Sequence, residues 1–194
     1  YGHVVVDRDS VAVRFDVLEL PGSVLSLRAL VRGGPSPTYA FSANAERFRF
    51  EDIAWLSPKL PRDGGGTMAL RGARAADGTG SWDIRDADVS TGESRVRGRV
   101  LLGVGGSRGT VIEAMDVTAS PLDLAVVAPW LGALPLRGLV AGHASGSGAL
   151  SALDVDANLT FTDAAVPGRP LSTVIGRGRL ALAQRAGSAL HLDE

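Results

Sequence analysis

Leu153-Asp154-Val155-Asp156-Ala157-Asn158-Leu159-Thr160-Phe161-Thr162 is the stretch that decides the fold class. Apolar and polar residues alternate here without a break. Successive side chains of a strand point to opposite faces, so Leu153, Val155, Ala157, Leu159 and Phe161 form a dry face. Asp154, Asp156, Asn158, Thr160 and Thr162 form a wet one. A strand with one face of each kind belongs to an antiparallel sheet, because parallel sheets are covered on both sides.

The same period runs outward through the chain. Val11, Val13, Phe15 and Val17 oppose Ala12, Arg14 and Asp16, and Pro21-Gly22 then turns the chain. Leu25, Leu27, Ala29 and Val31 oppose Ser26, Arg28 and Arg32, before a second turn at Gly33-Gly34-Pro35. Tyr39, Phe41, Ala43 and Ala45 continue the pattern. Val96, Val100, Leu102 and Val104 oppose Arg95, Arg97 and Arg99. With 25 glycines and 5% aromatics, the composition is that of many turns joining short apolar strands. Two stretches break the period, Glu51 to Leu56 and Leu122 to Leu131, and read as short helices between strands. Ser120 is the expected cap of the second, with Pro121 in its first turn and Pro129 ending it within about two turns. Trp55 and Trp130 are expected to anchor the two helices on the sheet.

Composition excludes several function classes. Twenty basic and 21 acidic residues give a net charge of −1, so neither a nucleic-acid face nor a polybasic membrane patch is expected. There is no cysteine, hence no disulfide framework and no thiolate metal site. No apolar run is long enough to span a bilayer. The chain starts at Tyr1, ends at Glu194 after an apolar stretch, and reads as a fragment truncated at both ends. A single lysine, Lys59, among many arginines suggests a GC-rich bacterial genome.

Within 1–194, read as one continuous β-groove, the segments 45–104 and 119–183 form an internal repeat. Ala45, Phe48, Phe50, Ile53, Leu60-Pro61, Gly64 and Gly72 match Ala119, Leu122, Leu124, Val127, Leu134-Pro135, Gly138 and Gly146, each 74 residues later. Arg97-Gly98-Arg99 recurs as Arg177-Gly178-Arg179 at a separation of 80, which implies an insertion such as Pro167-Gly168-Arg169-Pro170. Repeats of this kind stack because one unit cannot bury its apolar face alone.

Pro121-Leu122-Asp123-Leu124-Ala125, Ala128-Pro129-Trp130-Leu131 and Leu134-Pro135-Leu136-Arg137-Gly138 form a phrase that resembles the TamB/AsmA-like family (translocation and assembly module). Gly148-Ala149-Leu150, Leu153 to Leu159, Asp163-Ala164 and Ile175-Gly176-Arg177-Gly178-Arg179-Leu180 extend the resemblance, which is best over 111–183 and fainter over 45–104. The resemblance implies an elongated, mostly antiparallel twisted sheet curled into an open apolar groove. It also implies a bacterial periplasm, an inner-membrane anchor, an outer-membrane β-barrel partner, and a role in phospholipid movement or outer-membrane biogenesis.

The dry-face residues Val11, Val13, Phe15, Leu25, Leu27, Val100, Leu102, Val155, Leu159 and Phe161 are the expected groove lining and lipid-binding surface. Catalysis is not expected. Gly105-Gly106-Ser107-Arg108-Gly109 fits a nucleophile elbow in letters, but a strand follows it where a helix is required. Asp154, Asp156 and Asn158 imitate the start of a calcium loop, yet its sixth and twelfth positions hold Leu159 and Ala165. Asp83, Asp86 and Asp88 alternate on a strand with Arg85 beside them. His3, His143 and His191 are isolated, so no metal and no cofactor are expected. The alternative is a structural or ligand-binding β-sandwich or solenoid without lipid transport. Alternation alone favours a sandwich; the repeat and the resemblance favour the open groove.

Overall fold

A computed structural model describes residues 1–106, 109–131, 138–162, 170–181 and 189–192. The strands are β1 (Gly2–Asp7), β2 (Ser10–Glu19), β3 (Val24–Arg32), β4 (Thr38–Arg49), β5 (Gly65–Arg74), β6 (Gly80–Thr91), β7 (Ser94–Val104), β8 (Val111–Asp123), β9 (Leu139–Ala149), β10 (Ala152–Thr162), β11 (Pro170–Ala181) and β12 (Ala189–Leu192). They form one 12-stranded sheet whose spatial order is the chain order. Every pairing is antiparallel. The sheet is curled but does not close into a barrel. The sandwich alternative fails on this topology, since among the described residues no second sheet is present to cover the first.

Two short helices interrupt the meander. α1 (Phe50–Ile53) runs into a 3-10 turn (Ala54–Leu56) between β4 and β5, and α2 (Leu124–Leu131) lies between β8 and β9. Both follow an even-numbered strand, so both sit on the same lip of the trough. The cap of α2 differs from expectation. Ser120 and Pro121 remain in β8, and Asp123 performs the capping, its Oδ1 accepting the Ala125 N–H at 2.8 Å. The donor lies two positions after the acceptor, the usual side-chain cap geometry. Pro129 lies inside α2, two residues before its end.

The same local solution appears twice at a spacing of 74. Phe50 N donates to Gly64 O at 3.1 Å, and Leu124 N to Gly138 O at 3.0 Å. A bulge separates Ala45 from Phe48 in β4, and another separates Ala119 from Leu122 in β8. A buried serine hydroxyl accepts the last backbone N–H of each of these strands: Ser23 from Arg49 at 2.9 Å and Ser94 from Asp123 at 2.8 Å. The Pro167–Arg169 part of the expected insertion lies outside the described residues.

Little of the sheet is buried. Among the described residues the buried hydrophobic side chains are Phe48, Phe50, Ile112, Val140 and Leu153. The accessible surface is 12615 Å², whereas a compact protein of this mass would expose about 8,700 Å². The apolar side chains therefore face an open concavity.

Candidate functional site

The register shows how that concavity is lined. Residues directly opposite each other in neighbouring strands share a face, so linked pairs trace rows that run along the trough, across the strands. One row is Phe15, Leu27, Ala43, Leu70, Ile84, Val100, Met115, Gly146 and Val155. A second is Val13, Ala29, Phe41, Gly72, Trp82, Leu102, Ile112, Gly148 and Leu153. A third is Phe48, Gly66, Val89, Val96, Ala119, Gly142 and Leu159. No charged or hydrogen-bonding side chain, apart from the Trp82 indole, interrupts any of them. Twelve strands at about 4.8 Å spacing make the trough about 50 Å long.

All of the expected lining residues lie on this face. Val11, Val13, Phe15, Leu25, Leu27, Val100, Leu102, Val155, Leu159 and Phe161 are each half-buried. Val17, expected on the same face, does not join them. A bulge between Phe15 and Leu18 brings Leu18 opposite Leu25, and Val17 is left 44% exposed. One inserted residue reverses the facing of all that follows on the strand.

Sequence reading missed the contribution of β5 and β6. Leu70, Ile84 and Trp82 carry the rows across the middle of the trough. Trp82 lies 5.3 Å from Phe41 and 6.4 Å from Tyr39, centroid to centroid, in edge-on contact. Gly72 stands between Phe41 and Trp82 in the register. A Cβ there would meet the Phe41 ring at 2.4 Å. The spacing Met68, Leu70, Gly72 was the available signal, and the missing side chain at Gly72 concealed it.

Trp55 is a second correction. It does not anchor its helix: it is 79% exposed, with Nε1 donating to Asp52 O at 3.1 Å. Phe50 takes the anchoring role, buried edge-on against Phe48 at 5.4 Å. The Trp130 side chain lies outside what is described.

The opposite face is polar and carries cross-strand pairs. Asp88 meets Arg95 at 2.7 Å and Arg97 at 3.0 Å, Asp156 meets Arg177 at 2.8 Å, and Asp116 is hydrogen-bonded to His143 at 3.1 Å. Hydrogen bonding from Arg95 is the main reason the Asp88 carboxyl is pulled down to about 2. Arg85 hydrogen-bonds Asp83 and lowers it in the same way. Asp83 and Asp88 are thus each bound to arginine in an arrangement that keeps them ionised, the reverse of what a general acid requires. Asp154, Asp156 and Asn158 lie within β10 and form no loop. Among the described residues no group of three His, Asp or Glu could hold a metal. The glycine-rich segment after Val104 joins β7 to β8, so a strand follows it; Ser107 and Arg108 lie outside the described residues. No helix among the described residues is long and apolar enough to cross a membrane.

No protein-family model, no curated protein and no solved structure matches the chain.

Proposed function

We propose that this chain is a non-enzymatic segment of a periplasmic, inner-membrane-anchored protein. In this reading its groove conducts phospholipid between membranes or assists outer-membrane assembly, with an outer-membrane β-barrel as partner. The observation that carries the acyl-conduit reading is the set of unbroken apolar rows along an uncovered trough; the compartment, anchor and barrel partner rest on the resemblance of 111–183 to the TamB/AsmA-like family. Acyl chains bind such a surface without directional contacts, at about 0.8 kcal/mol per buried CH₂. The rows offer similar apolar surface from one strand to the next, so a chain can slide without breaking hydrogen bonds. The polar, ion-paired face would meet water.

Native mass spectrometry of the purified protein, with lipid extraction from the same sample, tests the reading. Phospholipid should co-purify and be lost in Leu159→Asp, whose carboxylate would place a charge in the third row. Circular dichroism checks that the variant keeps its strands. A folded Leu159→Asp protein with undiminished lipid, or a lipid-free wild type that unfolds cooperatively as a monomer, would overturn the assignment.

A further inference from the structure

We propose that the helix-bearing lip is where an acyl chain passes between a bilayer surface and the groove. This rests on the reading of the groove as an acyl conduit and adds the place of entry and the partner, a neutral phospholipid surface.

An apolar pocket of about 190 Å³ lies at this lip, between α1 and α2. Phe50, Leu60 and Pro61 close it from one side, and Leu122, Val126 and Val127 from the other. Its floor includes Val89 and Val96, which belong to the third row of the groove, so pocket and groove are continuous. The side-chain hydroxyls in its lining are Thr91 and Ser94, and both are engaged. Ser94 Oγ accepts the Asp123 N–H at 2.8 Å, and Thr91 Oγ1 donates to Asp63 at 3.3 Å. A peptide entering here would leave its backbone N–H and C=O groups unpaired, at a cost no contact in the pocket offsets. A hydrocarbon chain carries no such groups.

Trp55 stands on the segment between Phe50 and Leu60, both of which line the pocket. Its indole is held out to solvent with the N–H satisfied internally by Asp52 O. An exposed indole of this kind is suited to the headgroup level of a bilayer, where one side is apolar and the other wet. The charges on this segment and the three residues after it are mixed: Glu51, Asp52 and Asp63 against Lys59 and Arg62. Asp52 is turned inward onto Ser23 Oγ and Gly22 N. With no basic face on this segment among the described residues, the contact should need no anionic lipid and should resist salt.

The test uses a Trp82→Phe, Trp130→Phe protein, in which Trp55 is the sole indole, and phosphatidylcholine vesicles. Trp55 emission should shift to the blue on adding vesicles and be quenched by nitroxide-labelled phosphatidylcholine, equally at low and high salt. Trp55→Ser, which removes an exposed side chain, should weaken vesicle co-sedimentation several-fold and slow loading of labelled lipid. Phospholipid already bound in the purified groove should be unchanged in that variant. Unshifted Trp55 emission in the presence of vesicles, or Trp55→Ser protein that binds and loads as well as wild type, would overturn the proposal. If purified protein holds no lipid while Trp55 still enters vesicles, the membrane contact stands and the conduit reading falls.

Discussion

Gly142→Ala should destabilise the protein far more than an alanine at a turn glycine. Gly142 lies in β9, opposite Ala119 on one side and Leu159 on the other, with φ of +131°. A Cβ at this position would sit 2.0 Å from the Asn158 carbonyl oxygen and 3.1 Å from the Leu159 Cα. Both obstacles are backbone, so no side chain can rotate away. Either β9 and β10 separate locally or residue 142 abandons its conformation, and both routes deform the curl of the third row. Backbone strain of this kind together with a weakened ladder hydrogen bond amounts to about 2–4 kcal/mol. Gly92, in the turn between β6 and β7, is the control. Its φ is +53°, and a Cβ there would meet nothing within 4 Å. Its alanine variant bears only the left-handed penalty of about 1 kcal/mol. Urea unfolding followed by the β-sheet circular dichroism signal measures both, with the slope against urea checked for constancy. A Gly142→Ala cost within about 0.5 kcal/mol of the Gly92→Ala cost would refute the reasoning, since surface substitutions scatter by that much.

Ser23→Ala should cost about 1–3 kcal/mol in the same assay, because the Arg49 N–H loses its acceptor beside a hydroxyl that is fully buried. Its sign would be wrong if the variant were as stable as wild type. Asp88→Asn should lower stability at neutral pH and converge with wild type in acid. The folded carboxyl titrates at about 2, below its ordinary 3.8. The stabilisation is therefore present above the ordinary value and disappears as pH falls through the lower one. Acid unfolding curves of the two proteins measure the difference, and a gap that persists unchanged to pH near 2 would contradict the assignment to Asp88.

Strand existence and facing were legible wherever alternation ran unbroken, as from Leu153 to Phe161. What hid from sequence were positions where the backbone departs from the ladder. The bulge after Phe15 carries no residue signature, so Val17 was placed with Val13 when Leu18 takes that side. Trp82 to Val89 reads as one continuous alternation, but at Asp86 the backbone turns to φ of +50° within a bulge, which brings Ile84 and Val89 to the same face although their numbers differ in parity. The start of α2 was misplaced because Ser120-Pro121 and Asp123 are both acceptable caps; the continuation of β8 to Asp123 decides between them. The expectation for Trp55 rests on its near match to Trp130 in the repeat, 75 residues on, which says nothing of what else fills the buried place. The Asp52 carbonyl satisfies its N–H on the surface, and Phe50 already fills the buried place.

Because strand order and chain order coincide, the sheet has no long-range closure to complete. Each strand meets its partner as soon as the next turn has been made, so assembly can proceed in the direction of synthesis. The same linearity governs the mechanics. Tension applied between the first and last strands pulls across the ladders, at right angles to the strands, and each hydrogen-bonded pair bears the whole load in series. Among the described residues the shortest ladders are the terminal ones, six residue pairs between β1 and β2 and four between β11 and β12, so rupture starts at an end and extension advances as a sequence of small ruptures. A trough built this way can lose strands from an end while the remainder keeps its curl.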